Sequence, residues 1–422
     1  MKLKKLAAVV ACVLTLSYTL TNLTACSTQV KAADLTKGIT SENVSGKDPD
    51  ERFALAQIGF TLDLFMKTAA SDGYDNLLLS PLSVALALSM TSNGADTDTL
   101  TEMENVLGLP VQELNQYFVT YMSSLPENED CKLHIANSLW MREGFDVKQD
   151  FLQTNANYYS APVYTSPFDS QTVKDINNWV STNTDGMIEK MLDDISNEAV
   201  MYIVNALAFD ARWSSVYEKQ QVRDGVFTAS DGAERNVEFM HSTGYFPYFE
   251  DGRAAGFLKS YKGGRYAFAA ILPNEGITLE EYLDGLTAEG LYDMIKEPEH
   301  YETVTALPKF SYECDLTLND TLKQLGMPTA FDVNTADFTR LSTPDKPDEN
   351  IYIGRVLHKT FIAVDELGTK AGASTVVEMR NGSAAPAEEE EIKYVILDRP
   401  FLFLIIDYEN NIPIFMGTVT AP

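Results

Sequence analysis

Positive charge is scarce in this chain. Its 422 residues carry 32 Lys and Arg against 61 Asp and Glu, a net charge of −29. A phosphate backbone is gripped by clustered Lys and Arg. No such cluster is present, so nucleic acid is excluded as a partner. The acidity serves solubility and keeps copies of the chain apart, and a monomer is expected. Histidine is rarer still: four residues, at 134, 241, 300 and 358, without metal-ligand spacing. The sequence therefore requires no metal and no cofactor. Cysteine is equally sparse. Cys12, Cys26, Cys131 and Cys314 make neither a CxxC pair nor a disulfide framework. Cys131 and Cys314 read as two packed thiols, with a lone disulfide between them as the alternative. Also missing are a GxSxG elbow, an SxxK pair and an HExxH helix. Ser80 and His358 both sit in apolar stretches where a nucleophile would lack access, so the chain is not read as an enzyme.

No hydrophobic run is long enough to cross a bilayer. The N-terminal stretch 6–20 is too short and too polar, and it follows the basic Lys2, Lys4 and Lys5. Next comes Leu23-Thr24-Ala25-Cys26, small residues set just before a cysteine. This resembles the lipobox of bacterial lipoproteins. The resemblance implies that residues 1–25 are a removed signal peptide and that the Cys26 thiol carries a lipid. The protein would then be anchored to the bacterial cell membrane and exposed outside the cell. Residues 26–50 are rich in Ser, Thr, Lys, Gly and Asp and have little apolar periodicity, so a flexible tether is expected there.

From Glu51 to the C-terminus the composition suits one large globular domain, 51–422. Phe53, Ala54, Ala56, Phe60, Leu62, Leu64 and Phe65 mark the apolar face of a helix. A strongly apolar helix over 82–90 opens after Ser80-Pro81, where proline suits a first turn. Another helix is expected within 175–192, ending near Gly186. Strands are expected over 199–209, 266–272, 304–310, 356–364, 394–397, 401–407 and 412–419. Helices early and strands late argue for an α+β fold.

Several motifs then fall in one order. Asn76-Leu-Leu-Leu-Ser80-Pro81-Leu-Ser83 opens the apolar helix. Ile176-Asn177-Asn178-Trp179-Val180 is followed by Gly186-Met-Ile188. Val204-Asn205-Ala206 precedes Phe209 and Trp213. Leu307-Pro308-Lys309-Phe310, Leu325-Gly326-Met327, Ala330-Phe331 and Asp337-Phe338 come next. His358-Lys359 leads to Asp365-Glu366-Leu367-Gly368-Thr369, and the chain closes on Arg399-Pro400-Phe401-Leu402-Phe403 and Phe415-Met416-Gly417. In order and spacing this series resembles the serpins, from near residue 55 to the last residue. The resemblance implies three β-sheets, eight or nine helices and an exposed reactive-centre loop at about 366–391. It also implies that Ser80, Ser83, Asn205 and His358 meet under the main sheet as a hydrogen-bonded latch. The partner implied is a serine protease, trapped as a covalent acyl complex when the cut loop enters the main sheet as a new strand.

That mechanism makes a demand on the loop, because a segment that becomes a central strand must have one face of small or apolar residues. After Glu366 and Gly368, the residues Thr369, Ala371, Ala373 and Thr375 occupy one face at period two, and Val377 and Met379 extend it. Lys370, Gly372, Ser374, Val376 and Glu378 make the other face. No proline interrupts 366–385. Counting forward from Glu366 places the cut between Gly382 and Ser383. Counting back from Pro400 places it some seven residues later, so the loop is longer than typical. Met379, Arg380 and Ala384 are the alternates. The small residues around Gly382 suit an elastase-like or subtilisin-like protease, whereas a cut at Arg380 would suit a trypsin-like one. A surface-binding lipoprotein of the same fold, without inhibition, is the other reading.

Overall fold

The computed structural model describes residues 30–126, 130–196, 198–344, 349–369 and 391–422. Helix Glu51–Asp72 starts where the Asp50 carboxylate accepts the Phe53 N–H at 3.0 Å, and it ends at Gly73, whose φ of 92° favours glycine. Helix Pro81–Ser92 is apolar all round, and all twelve residues are buried. Two of its hydroxyls are satisfied within the helix: Thr91 and Ser92 donate to the Ala87 and Leu88 carbonyls, each at 2.8 Å. A helix with no wet face must lie in the core. This one packs beneath strands Cys131–Arg142, Met201–Arg212 and Ile412–Val419.

Nine α-helices and three sheets are present among the described residues. The main sheet has seven strands, in the order Ala33–Asp34, Val163–Ser166, Cys131–Arg142, Met201–Arg212, Gly368–Thr369, Ile353–Val364 and Phe310–Thr317. Its two central strands, Met201–Arg212 and Ile353–Val364, run parallel and pair from Ile353–Met201 through Lys359–Ala206. Beyond that point they part. The two-residue strand Gly368–Thr369 fills the upper end of the gap, pairing with Val364 on one side and with Arg212 and Ala211 on the other. A nine-stranded sheet lies behind, and Phe268, Phe310 and Phe403 join the layers, with the Phe268 and Phe403 rings stacked at 5.3 Å. Phe145–Val147 and Ser342–Pro344 make the third sheet.

Several expectations need correction. Residues 30–50 are not a free tether. Ala33–Asp34 adds to the edge of the main sheet against Val163–Ser166. The buried Asp175 carboxylate accepts the N–H groups of Lys31 at 3.0 Å and Ala32 at 2.8 Å. Lys47 N–H reaches the Gln116 carbonyl at 3.0 Å. Gly46 lies so close to the helix Val111–Ser124 that a Cβ there would stand 2.0 Å from Thr120 Oγ1. Polar composition hid this, because the docking runs through backbone groups and four scattered apolar residues, Val30, Ala32, Leu35 and Ile39. The folded body therefore extends back to residue 30. The helix expected within 175–192 is Ser170–Asn183, started five residues earlier by the Asp169–Thr172 capping box. Strands are interleaved with the early helices as well. No disulfide joins Cys131 and Cys314.

Candidate functional site

Two clusters meet on the central strand pair. The lower one is a row across three strands. Asn137 pairs with Asn205, and Asn205 with His358, in register. The His358 ring accepts the Ser80 backbone N–H at Nε2, at 3.0 Å. Its other nitrogen therefore carries the proton and donates to Asn205 Oδ1 at 2.6 Å. Asn205 Nδ2 donates to Ser83 Oγ and to Asn137 Oδ1, which uses both of its hydrogens. Ser80 Oγ donates to the Ile414 carbonyl at 2.9 Å. Ser80, Ser83, Asn205 and His358 are all fully buried. Burial pushes the His358 ring down to about 3, so it is neutral. Ser80 offers the ring its backbone N–H and no nucleophile, so the arrangement is a structural bond network.

The upper cluster holds the hinge. The Asp365 carboxylate accepts the N–H groups of Leu367 at 2.8 Å and Gly368 at 3.2 Å, which turns the chain sharply out of Ile353–Val364. Trp213 clasps this turn with two donors: its N–H bonds the Leu367 carbonyl at 2.9 Å, and its indole N–H bonds that of Asp365 at 2.8 Å. Tyr217 N–H bonds the Glu366 carbonyl at 2.9 Å. Lys309 pairs with the Glu366 carboxylate at 2.7 Å. Burial pushes that carboxyl up, but the bond from Lys309 helps outweigh it and hold the group below the usual range. Gly368 has no room for a side chain, since a Cβ would stand 2.1 Å from the Ala211 carbonyl oxygen. Thr369 turns inward, 2% exposed, and its hydroxyl meets that of Tyr261, whose ring stacks on Trp213.

Of the residues singled out in the sequence, Ser80, Ser83, Asn205 and His358 are brought together, and so are Glu366, Gly368 and Thr369. Ala371, Ala373 and Thr375, the candidate bait residues Met379, Arg380, Gly382, Ser383 and Ala384, and Cys26 lie outside the described residues. Sequence reasoning missed Asn137, Tyr217 and Tyr261. Asn137 had a signal, a lone amide in the apolar stretch Ile135 to Trp140. Tyr217 had none, because it acts through its backbone.

Comparison with known proteins agrees with this geometry. The model of the family described as serpin (serine protease inhibitor) matches residues 55–422. An uncharacterized serpin-like protein of Thermococcus kodakarensis is 34% identical over 370 residues, covering 86% of this chain and 84% of the relative. The crystal structure of a thermophilic serpin, tengpin, in its native state superposes with a TM-score of 0.87 at 46% identity, over 93% of this chain and 100% of that one. The same protein in its latent state superposes less closely, with a TM-score of 0.76 at 43% identity, over 90% and 100%.

Proposed function

As the chain belongs to the serpin family, we propose that it is an inhibitor that traps serine proteases on a sacrificial loop. The segment after Thr369 serves as bait. A protease serine attacks a carbonyl in it, most readily between Gly382 and Ser383, and remains joined as an acyl ester. The freed segment then enters the main sheet between Met201–Arg212 and Ile353–Val364. One observation carries this reading: Gly368–Thr369 already occupies the head of that gap, paired on both sides, with Thr369 facing inward. In sequence the same face continues as Ala371, Ala373 and Thr375. Below the gap, the bonds joining His358, Asn205, Ser83 and Ser80 hold the two strands together and set the resistance to parting.

The test is incubation with elastase-like, subtilisin-like and trypsin-like proteases, followed by denaturing electrophoresis and sequencing of the released peptide. An adduct of the summed mass is expected. Cleavage without adduct across the whole panel would overturn the reading and leave a serpin-shaped binding protein.

The Leu23-Thr24-Ala25-Cys26 sequence supports a lipid on Cys26 and a place at the outer face of the cell membrane. Cys26→Ser should abolish incorporation of labelled fatty acid and release the protein from membranes. Continued partition of the variant into membranes would mean that residues 6–23 remain as an uncleaved helix.

A further inference from the structure

The gap between the two central strands fixes an address for every residue that could enter it. Thr369, at its head, pairs with Ala211 on one side and Val364 on the other. Lower down the two strands pair directly, Ala206 with Lys359. Ala211 lies five residues beyond Ala206, and Val364 five beyond Lys359, so the strands keep one relative register above and below the parting. A strand that continues the ladder past Thr369 therefore pairs with both neighbours without a slip.

These addresses fit the sequence on the outward face, the one opposite Thr369. Lys370 falls beside Asp210. Val376 falls between Val204 and Leu357, both buried in one apolar cluster with Ile176 and Trp179 of helix Ser170–Asn183. That accounts for an apolar side chain on a face otherwise suited to water. Glu378 falls between Tyr202 and Arg355, which are themselves a register pair. Between Arg355 and Ile353 the pairing slips at Gly354. Glu378 is therefore the last residue of the segment to have neighbours in register on both sides.

Arg355 lines a recess of about 390 Å³ at this lower end of the sheet, together with Tyr202, Tyr352, Ser196, Asp194 and Glu198. Two bonds hold its walls: Ser196 N–H donates to the Tyr202 hydroxyl at 3.2 Å, and the Tyr352 hydroxyl donates to the Glu198 carbonyl at 3.0 Å. Among the described residues no carboxylate stands within ion-pair distance of Arg355. Lys359, on the same face of the strand, already has Asp315 at 3.5 Å and Glu313 at 3.9 Å.

We propose that Arg355 is the receptor for Glu378 when the cut segment lies in the sheet. The guanidinium receives the carboxylate inside the recess, seats the lower end of the new strand and marks where its ladder ends. Arg380, the next outward residue, brings positive charge to the part of the recess that holds Asp194 and Glu198. A slip of one residue would turn Glu378 inward and set Val377 or Met379 against Arg355, so the contact also penalises misregister. Arg355 is in this sense a positioning residue. The inference rests on the inhibitory reading for insertion itself and adds the contact at which insertion stops.

The full chain in detergent solution tests it, intact and after a cut beyond Gly382 by a limiting amount of a subtilisin-like protease, with the cut located by peptide mass. Guanidinium midpoints are compared for both forms. The wild-type midpoint should rise on cutting. Glu378→Arg should match the wild type when intact and fall short of it when cut, by up to about 0.5 M guanidinium. Arg355→Glu should show the same loss in the cut form, and the two changes together should recover it. A purely structural role for Arg355 would not give that recovery. Equal midpoints for cut wild type and cut Glu378→Arg overturn the proposal, and this comparison decides even if Arg355→Glu does not fold. A reversed pair as weak as either single variant overturns it too. A wild type whose midpoint does not rise on cutting removes the inhibitory reading itself, and this contact with it.

Discussion

Asn205 and His358 face each other across the two parallel central strands, with Asn205 Oδ1 2.6 Å from His358 Nδ1. The ring is neutral, donates at one nitrogen and accepts at the other, so a second proton has no place. It would have to displace the Ser80 N–H. Unfolding releases a ring of ordinary value, 6.5, from a site where it lies near 3. The folded value is depressed, so the unfolded chain binds more protons between these values. The contribution is fully present above about 6.5 and is lost as pH falls toward 3. Denaturant unfolding should therefore show about 2 kcal/mol less stability from this group at pH 5 than at pH 7. His358→Gln should lack that component. An equal slope in both proteins would place the acid sensitivity elsewhere.

Thr369→Arg should turn the inhibitor into a substrate. The wild-type side chain faces the Tyr261 hydroxyl in the core, and a guanidinium there without a partner costs several kcal/mol. Loop cleavage should persist while adduct disappears. A variant that traps protease at the wild-type ratio would show that the hinge does not insert through this position.

Gly368→Ala should expel Gly368–Thr369 from the sheet. Its Cβ would collide with the backbone of Ala211 and Arg212, which belong to a central strand and cannot yield cheaply. Proteolysis near 365–369 should become rapid while the rest of the molecule stays resistant. Wild-type resistance at those bonds would count against the close approach.

Asp175→Ala should loosen the N-terminal segment. The carboxylate receives the Lys31 and Ala32 N–H groups and the Gln171 amide, the last at 2.8 Å. Hydrogen bonds to a charged group contribute about 1.5–3 kcal/mol each when buried. New protease cuts should appear within residues 30–46, and the body should melt at a lower temperature. An unchanged cutting pattern would mean that Leu35 and Ile39 hold the segment without Asp175.

Cleavage of the loop between 380 and 385 should raise the melting temperature, even though a covalent bond is lost. Residues 370–379 would gain ladder hydrogen bonds, about 0.5–1.5 kcal/mol each, against an ordering cost of about 1–2 kcal/mol per residue. These nearly balance, so the gain must come from closing the gap where the central strands part. A nicked protein that melts at or below the intact one would remove the insertion mechanism.

The latch and the start of the hinge were legible because their residues sit in short motifs of distinctive order. Ser80, Asn205 and His358 each stand out as polar residues inside apolar runs. The N-terminal docking was not legible, since Lys31, Ala32 and Lys47 bind through backbone N–H groups that every sequence has. Strand Cys131–Arg142 was missed for a related reason: its lower half, Leu139 to Met141, is buried on both faces, so alternation fails there. Lys259 gave no sign of burial, because a lysine at the end of an apolar strand usually reaches out to water. The rings of Trp213, Tyr217 and Phe246 lie over its amine, and the Ser215 carbonyl accepts from it.

The docked N-terminus sets a direction. Asp34 joins the sheet at the level of Tyr202, by way of Tyr164 and Trp140, whereas Thr369 joins at Ala211. Nine residues of strand separate those levels, roughly 30 Å. With a lipid on Cys26, four peptide steps lead to Val30, a reach of about 14 Å at full stretch. The lower end of the sheet would then hug the bilayer while Thr369, the last described residue before the bait, stands at the far end of the sheet. If the loop inserts as proposed, it would run from Thr369 down toward the level of Tyr202, and a captured protease would travel toward the lipid surface. Clearance beneath the body, set by those four residues, would decide how large an enzyme can complete the journey.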